Sequence, residues 1–401
     1  MEKFVCAFRG RRDSYQVPLA LAEGELLDQF ITDAYAMPWT KSIAAFAPAQ
    51  LRQKLNTRFE PGIPEKRVRC LWGTAVVEQA RHWLSRPPIL THLKLDRCFS
   101  RAAKRRTRRS MSDLLLYSPY AWEAFTARYR HQPRKVLFQY HPHPDLQARL
   151  LAEDSSRHPG IGESFSGSHS LEIPVKLLRR ERDAWKYADL ILCASIFTQR
   201  SLLEAGADEQ ICRVIPYGVD VPSLIPTETP PSDFRAVFVG SGGQRKGLHH
   251  LLLAWQRAVL PAGSKLTLIC RAIDRGIERM AETATGVELV RGVSQDSLNA
   301  IYASSSLFVM PSLVEGFGQV FLEALVHGCP VLGTANTCLP DLGGEVDGIF
   351  LVTPGNVDEL TAKLETLSRT LRDNDSLRRA ARACAAKSTW LLFRERIRQA
   401  L

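Results

Sequence analysis

The stretch that decides the fold runs from residue 311 to residue 330 and reads PSLVEGFGQVFLEALVHGCP. An apolar run at 306–310 precedes it and predicts a strand, and the apolar periodicity after Gly318 predicts a helix. The chain thus passes from strand to loop to helix, with Glu315 in the loop and Glu323 on the helix. A helix start presents unpaired N–H groups and a positive dipole end, which favour phosphate. This pattern predicts a ligand with a diphosphate and a sugar at each end.

Short apolar runs alternate with amphipathic segments on both sides of this stretch, which predicts βαβ units and parallel sheets. The predicted fold is α/β, with two doubly wound Rossmann-like domains whose parallel sheets face a central cleft. We assign residues 1–221 to the N-terminal domain, the proline-rich segment 222–232 to a linker, 233–385 to the C-terminal domain and 386–401 to a C-terminal helix. Residues 154–172, rich in Ser, Gly and His, predict a long mobile loop.

The composition is that of an ordinary globular protein. Of the 401 residues, 45% are hydrophobic and 24% are charged. No apolar run in the sequence reaches the roughly 18–20 residues of a membrane-spanning helix, and the short apolar start does not resemble a signal peptide. The nine cysteines are scattered without a C-x-x-C pair. We therefore expect reduced thiols in a cytoplasmic protein and no metal site.

Positive charge is concentrated in the first half of the chain. Residues 1–222 hold 34 lysines and arginines against 24 acidic residues, and the whole chain has a net charge of +11. We therefore expect an anionic partner for this half: a phosphorylated acceptor, a membrane surface such as the anionic inner face, or nucleic acid. The most basic run, 101–109, has no interleaved aromatic residues, so no nucleic acid is expected. We interpret that run as a solvated, partly mobile segment.

A second glycine-rich turn follows a predicted strand at residues 238–247, FVGSGGQRKG. Its glycine N–H groups, starting at Gly240, can form an anion-binding concavity. Arg245 and Lys246 place two positive charges at the start of the next helix. Short glycine motifs are common in ordinary loops, so a solvated loop is an equal alternative for this turn taken alone.

Two further groups lie where predicted N-terminal strands end, and such ends face the cleft of a doubly wound sheet. Gly10, Arg11 and Arg12 follow the first strand, and both arginines are candidates to meet an anionic substrate. His141 and His143 follow a later strand, where either histidine could contact a sugar or a phosphate. An ordinary hydrogen-bonded loop histidine is an equal alternative for each.

Together these stretches resemble the retaining glycosyltransferases of family 4, which have the GT-B fold. Residues 181–189, ERDAWKYAD, are similar to the family's sequence before its interdomain linker. Residues 214–220, VIPYGVD, are similar to a family motif in which Tyr217 replaces the usual asparagine. The two glutamates of the opening stretch match the family's E-x7-E motif. The similarity covers most of residues 181–390.

The resemblance implies transfer of a sugar from a nucleotide-sugar donor to a saccharide or glycolipid acceptor, with retained configuration and without a metal or other cofactor. It implies that the C-terminal domain binds the donor and the N-terminal domain the acceptor. Glu315 and His141 are the implied catalytic residues, with Glu315 on the donor sugar and Glu323 on the ribose hydroxyls. The implied donor-binding set is Gly240, Arg245, Lys246, Glu315, Gly316, Phe317, Gly318, Gln319, Val320 and Glu323. The candidates on the acceptor side are Gly10, Arg11, Arg12 and His143.

The chain departs from the family pattern at Ser241, where the family usually has an arginine that pairs with the lysine on the diphosphate. We expect that Arg245 substitutes for this arginine or that donor binding is weaker. In this fold the final helix commonly crosses back to the N-terminal domain, and Trp390 and Phe393 fit such a helix. A nucleotide-sugar epimerase, a sugar phosphorylase and a non-catalytic basic binding protein are the alternative functions.

Overall fold

The structure is a computed structural model that describes residues 2–36, 57–83, 88–162, 175–222, 233–371 and 374–401. It contains two separate parallel sheets, each covered by helices, which confirms the predicted α/β fold with two doubly wound domains. The predicted linker lies outside the described residues except for Pro222. Among the described residues, no helix combines the length and apolar character needed to cross a membrane.

The N-terminal sheet has seven parallel strands in the order β3-β2-β1-β4-β5-β6-β7. Its strands are β1 (Phe4–Ala7), β2 (Leu27–Thr32), β3 (Val68–Cys70), β4 (Asp113–Tyr117), β5 (Lys135–Gln139), β6 (Leu190–Cys193) and β7 (Cys212–Val214). The order reverses between β1 and β4, which are hydrogen-bonded neighbours. Ligands of such sheets bind at the carboxyl ends of the strands beside this reversal.

The C-terminal sheet has six parallel strands in the order β10-β9-β8-β11-β12-β13. Its strands are β8 (Arg235–Val239), β9 (Lys265–Ile269), β10 (Val287–Val290), β11 (Leu307–Val309), β12 (Val331–Thr334) and β13 (Ile349–Val352). Here the reversal lies between β8 and β11, which pair through Leu307 and Ala236. The glycine–lysine turn and the glutamate loop follow these two strands, so the topology brings both motifs to one place.

Helices cover the faces of both sheets. In the N-terminal part these are α1 (Gln16–Glu23), α2 (Trp72–Trp83), α3 (Pro88–Ser110), α4 (Ser118–Phe125), α5 (Pro144–Arg157), α6 (Pro159–Gly162), α7 (Val175–Asp183) and α8 (Ile196–Glu204). In the C-terminal part they are α9 (Leu248–Arg257), α10 (Arg275–Thr283), α11 (Gln295–Ser304), α12 (Gln319–Val326), α13 (Leu339–Leu342), α14 (Val357–Thr370), α15 (Asp375–Ala385) and α16 (Trp390–Ala400). Because helices lie on both sides, strands such as β6 and β11 are buried throughout and have continuous apolar sequences.

Two predictions for the N-terminal domain were wrong. The sequence pattern predicts one helix over residues 18–30, but α1 ends at Glu23 and β2 follows, because Phe30 and Ile31 pair with β1. Residues 154–162 belong to the predicted mobile loop, yet they complete α5 and form α6. Asp154 is buried there, which a loop prediction based on composition could not anticipate.

The basic run is also ordered, contrary to its interpretation as a partly mobile segment. Residues 101–109 lie within α3. Arg106 makes two hydrogen bonds to the Asp28 carboxylate, at 2.7 and 2.6 Å, and ties α3 to β2. The run combines buried small residues such as Ala103 with exposed cations such as Arg105, so it has the periodicity of an amphipathic helix.

The last helix, α16, packs on the N-terminal domain. Its Arg394 donates to Gln16 Oε1 at 2.7 Å and forms an ion pair with Glu23 at 2.9 Å, so it contacts α1 at two points. Phe393 lies with its ring centroid 6.1 Å from that of Phe138 on β5. The C-terminus of the chain thus links the second domain back to the first. All nine cysteines are free thiols, and most of them are buried.

Candidate active site

The loops after β8 and β11 are held against each other. The Leu313 N–H donates to the Arg245 carbonyl at 3.0 Å. Gly247 has a φ of +67°, and a Cβ there would lie 2.0 Å from the Pro311 carbonyl oxygen. Only glycine fits this left-handed position and this close approach. The glycine turn therefore holds Arg245 and Lys246 beside the loop that carries Glu315.

The Glu315 carboxylate is the centre of this arrangement. Arg245 Nη1 lies 3.2 Å from both of its oxygens, and Lys246 Nζ bonds Oε2. The Gly316 N–H donates to Oε1 at 3.2 Å. Burial by itself would raise the pKa of Glu315, but the charges of Arg245 and Lys246 outweigh burial and hold the pKa well below its usual range. Glu315 is therefore an ionised carboxylate held by two cations.

Lys246 is the more enclosed of the two cations. Its side chain is 12% exposed, against 30% for Arg245. Burial lowers the pKa of Lys246, and the charge of Glu315 opposes that shift. A phosphate that enters the cleft would gain two positively charged donors from this turn, since lysine and arginine both bind phosphate through charge-assisted hydrogen bonds.

Helix α12 begins next to this carboxylate. Gly318, the residue before it, has a φ of +86°, and a Cβ there would lie 2.8 Å from the Phe321 ring. Helix α12 therefore begins four residues after Glu315, and a helix N-terminus favours an anion. Glu323 lies one turn further along and is partly exposed. Burial raises its pKa, and the neighbouring Tyr302 hydroxyl opposes the shift.

The N-terminal domain meets this loop through Gly316. A Cβ on Gly316 would lie 1.8 Å from the Tyr140 carbonyl oxygen and 3.0 Å from His141 Cα. The Gly316 carbonyl accepts hydrogen bonds from Ser195 Oγ at 2.5 Å and Thr198 Oγ1 at 3.0 Å. Both hydroxyls are buried. The two domains are therefore in direct contact at the glutamate loop.

His141 is brought to the same place. Burial lowers its pKa to about 3, the positive charge of Arg245 adds to the shift and Glu315 opposes it. The imidazole is therefore neutral near pH 7 and can donate a hydrogen bond from one nitrogen while accepting at the other. Its Nδ1 atom is buried and has no hydrogen-bond partner among the described residues.

His143, by contrast, does not join this group. Its Nδ1 atom accepts from the Asp145 N–H at 3.3 Å and caps α5, while Nε2 lies 3.0 Å from the Arg182 carbonyl. Both ring nitrogens are used in the domain's own structure, and the side chain is buried. The expectation that His143 faces the cleft was therefore wrong, because the sequence shows no difference between a capping and a cleft histidine here.

The first loop divides its predicted residues. Arg12 lies over the Tyr140 ring, 4.1 Å from its centroid, next to the glutamate loop. Arg11 is exposed. Gly10, with a φ of +80°, donates its N–H to Asp33 Oδ1 at 3.0 Å and shapes the turn. Of the three residues, the structure brings Arg12 into the cleft.

A cavity of about 210 Å³ extends from Arg12 into the N-terminal domain. It is lined by Arg9, Arg12, His92, Leu93, Asp96, Pro119, Tyr120, Tyr140 and Glu181. Burial raises the pKa of Asp96 to about 7 and also raises the pKa of Glu181. Sequence reasoning missed Asp96, which lies within α3 and has no motif around it. Glu181 lies in the stretch that resembles the family, so that stretch offered a signal.

A buried set of hydrogen-bonded side chains lies next to the cleft. Asp13 Oδ2 accepts from the Tyr117 hydroxyl at 2.7 Å and from the Tyr217 hydroxyl at 3.0 Å. The Tyr217 ring packs on Phe317 of the glutamate loop, with centroids 5.3 Å apart, and on Phe393 of α16 at 5.6 Å. Tyr217, which replaces the asparagine implied by the resemblance, therefore connects both domains and the last helix. The described residues that could hold a metal ion lie elsewhere, where α5 meets α9.

Sequence comparisons match the C-terminal domain in particular. The "Glycosyl transferases group 1" model matches residues 233–370. The chain is 28% identical over 193 residues to the MMP alpha-(1->4)-mannosyltransferase of Mycolicibacterium hassiacum, covering 47% of each protein. It is 25% identical over 283 residues to a GDP-mannose-dependent phosphatidylinositol monomannoside mannosyltransferase of Corynebacterium glutamicum, covering 62% of this chain and 72% of that one. The first curated relatives are matched over half of their length or less.

Comparison of structures extends the likeness to the whole chain. Sucrose-phosphate synthase from Thermosynechococcus elongatus superposes with a TM-score of 0.71 at 16% identity, covering 100% of this chain and 98% of that one. Anabaena HepE in complex with UDP and glucose superposes with a TM-score of 0.59 at 18% identity, covering 100% and 99%. These likenesses show the fold, which is that of GT-B glycosyltransferases. The chain therefore has the GT-B fold, and its residues 233–370 match the model of the glycosyl transferases group 1 family.

Proposed function

We propose that this protein transfers a sugar from a nucleotide-diphosphate sugar to a saccharide acceptor, with retention of configuration. One observation carries the proposal: the Glu315 carboxylate is paired with Arg245 and Lys246 at the start of α12, in the cleft between the domains. The relatives' names support a nucleotide-sugar donor, since one is GDP-mannose-dependent and one structure contains UDP and glucose.

The donor would enter by exchanging ion pairs. Diphosphate oxygens can take Arg245 and Lys246 as partners, which releases Glu315 to accept hydrogen bonds from the donor sugar's hydroxyls. Glu323 is one turn further along α12 and would accept from the ribose hydroxyls, the role that the resemblance implies for it. This exchange keeps each charged group partnered, which limits the cost of burying it.

Transfer would then depend on stabilising the leaving group. As the bond between the anomeric carbon and the phosphate oxygen breaks, its electron pair passes to the diphosphate, and Arg245, Lys246 and the α12 N-terminus face the developing charge. The acceptor hydroxyl attacks the same face of the sugar and gives its proton to the leaving phosphate oxygen. The new carbon–oxygen bond forms with the original configuration. Side chains supply the positive charge, so we propose that the step needs no metal.

His141 and Arg12 would orient the two sugars. The neutral His141 imidazole can donate to a hydroxyl of the donor sugar beside Glu315. The cavity next to Arg12 is the candidate acceptor site, since it offers charged and hydroxyl groups but limited space, about 210 Å³. An acceptor that is a saccharide or the sugar headgroup of a lipid suits this lining.

Membrane recruitment is part of the proposal. Exposed arginines on α3, Arg101, Arg105, Arg108 and Arg109, form a basic surface that would attract anionic lipid. Liposome pelleting tests this: vesicles with anionic lipid should retain the protein at low salt, and neutral vesicles should not. Equal behaviour with both kinds of vesicle would contradict recruitment by charge.

The test of activity is nucleoside diphosphate release from a panel of UDP-, GDP- and ADP-sugars, with a mixture of saccharide acceptors and without added Mg²⁺ or Mn²⁺. We expect one donor to be turned over and Glu315→Gln to lose at least about 100-fold of that rate, the scale of losing one preorganised electrostatic group. Glu288→Gln is the matched control, because Glu288 is exposed on β10. Epimerised sugar from the donor alone would instead favour an epimerase, and equal activity of both variants would contradict the role of Glu315.

A further inference from the structure

Three histidines and one aspartate form a cluster outside the donor site, where the end of α5 meets α9. Asp154 and His158 are four residues apart at the C-terminal end of α5, so they share one face. His249 and His250 lie in the first turn of α9. The side chains of His249, His250 and Asp154 are 0%, 1% and 5% exposed, and that of His158 is 18% exposed. The cluster is therefore buried and drawn from both domains.

The polar atoms of the cluster are close enough to share one ion. Asp154 Oδ1 lies 2.8 Å from His250 Nε2 and 3.4 Å from His158 Nδ1, and Asp154 Oδ2 lies 3.1 Å from His249 Nε2. One ligand atom from each residue lies within 4.8 Å of all the others. Ligands of tetrahedral zinc, at about 2.0–2.1 Å from the ion, lie roughly 3.3 Å apart. Small side-chain rotations would close this set around a single ion.

A second layer of contacts orients the aspartate. Gln244 Nε2 donates to Asp154 Oδ2 at 2.8 Å, and it also bonds the Leu151 carbonyl at 2.8 Å. Such outer hydrogen bonds commonly fix the ligands of protein metal sites. His250 Nδ1 is buried and has no hydrogen-bond partner within the described part of the chain.

We propose that Asp154, His158, His249 and His250 bind a divalent transition-metal ion, best fitted by Zn²⁺. Three imidazoles and one carboxylate are a ligand set that zinc accepts in tetrahedral geometry. Four protein ligands leave no open position for substrate, so the site is structural. Because two ligands come from each domain, the bound ion would hold the two domains together next to the cleft.

The proposed metal site is also connected to the glycine–lysine turn through Gln244. Gln244 is the first residue of the turn Gln244–Lys246, and its side chain is held by the aspartate of the cluster. An ion bound there would fix the turn that presents Arg245 and Lys246. This last step rests on the proposed function, whereas metal binding does not.

The experiment uses the full-length, untagged Cys98→Ser protein, which lacks the exposed thiol that could bind metal on its own. After dialysis against a chelator, ZnCl2 is titrated by calorimetry and CoCl2 is followed by visible absorption. We expect one ion per chain and the intense bands of tetrahedral Co²⁺, which Zn²⁺ removes. Asp154→Asn and His250→Gln should abolish both signals, and Gln244→Leu should weaken zinc binding about 10- to 100-fold.

Two measurements keep the result interpretable. Circular dichroism of the metal-free variants shows whether each one folds, and Asn and Gln keep the size and polarity of the residues they replace. His131→Gln is the matched control, since His131 lies in the N-terminal domain next to the Ser112 carbonyl at 3.5 Å. Less than about a tenth of an ion per chain, or equal zinc affinity in folded Asp154→Asn, would overturn the proposal. Nucleotide binding is measured separately, so a failure of the donor site would leave this result intact.

Discussion

Arg245 Nη1 lies 3.2 Å from both carboxylate oxygens of Glu315, although the family pattern would place an arginine four residues earlier, at Ser241. Ser241 is exposed in the glycine turn. The turn brings Arg245 and Lys246 to the same carboxylate, so two cations are present after all. Under the proposed function, the position of Arg245 would let a chain without the usual arginine bind a diphosphate.

Arg245→Ala should weaken donor binding. A hydrogen bond to a charged group contributes about 1.5–3 kcal/mol. Because Arg245 must leave Glu315 to make this bond, we expect a contribution at the low end of that range and a Kd about 10-fold higher. The measurement is calorimetric titration of the nucleotide-sugar that the protein turns over. Adding Ser241→Arg to Arg245→Ala should restore part of the affinity. Unchanged affinity in Arg245→Ala would contradict the substitution of one arginine for the other.

Gly316→Ala should impair transfer more than it weakens donor binding. The added Cβ would lie 1.8 Å from the Tyr140 carbonyl, so it prevents the contact between the domains rather than the fold of either one. We expect kcat/KM to fall at least about 100-fold, as a misplacement of about 1 Å can cause. Small-angle scattering should show a larger radius of gyration. Gly344→Ala is the control because no atom lies within 4 Å of its added Cβ, and equal transfer rates for the two variants would count against the role of closure.

Asp96→Asn should change how stability depends on pH. Burial raises the pKa of Asp96 to about 7 from 3.8, so the folded protein holds this proton more tightly than the unfolded chain. The contribution to the free energy of unfolding is full below pH 3.8 and is lost as the pH rises through about 7, with a slope of at most about 1.4 kcal/mol per pH unit. Urea unfolding from pH 4 to pH 8 should show this decline in the wild type and a flatter profile in the variant. Parallel profiles would show that Asp96 does not titrate in this range.

Tyr217→Phe should destabilise the protein without changing its fold. The variant loses the hydrogen bond to Asp13 but keeps the ring contacts with Phe317 and Phe393. We expect a loss of about 1 kcal/mol in the free energy of unfolding, measured by urea titration. Tyr187→Phe, at a residue that is 42% exposed, should change stability by less than half as much. Equal losses would mean that the Asp13 hydrogen bond contributes nothing specific.

The doubly wound fold could be predicted because its signals are local. Strands such as β4 and β9 are short apolar runs bounded by polar residues, and the parallel arrangement follows from their alternation with helices. The helix containing residues 101–109 could not be predicted, because charged residues dominate this run. Its buried face is evident only in the structure, from residues such as Ala103. Composition alone could not separate an ordered basic helix from a mobile segment.

The candidate site could be predicted where its residues are close together in the sequence. Glu315, Gly316 and Gly318 lie in one loop, so their proximity follows from the sequence. The contacts of Asp96 and Asp154 depend on elements far away along the chain, which no local pattern specifies. His143 shows the opposite case. Its position at a strand end predicted that the side chain faces the cleft, but its backbone N–H bonds Ser201 and its ring bonds the Arg182 carbonyl within the N-terminal domain.

The most direct test of the donor site is calorimetric titration of UDP, GDP and ADP into the wild type, Lys246→Ala and Lys265→Ala, without added divalent metal. Lys265 is exposed at the amino end of β9, whereas the cleft lies at the carboxyl ends of the strands, so its variant is the matched control. We predict that one nucleotide binds the wild type and Lys265→Ala equally, and that Lys246→Ala binds it at least about 10-fold more weakly. Lys246 must also leave Glu315 to bind the diphosphate, but it is the less exposed of the two cations. Absence of binding by all three nucleotides, or equal affinity in Lys246→Ala, would contradict the assignment of Glu315, Arg245 and Lys246 as the donor site.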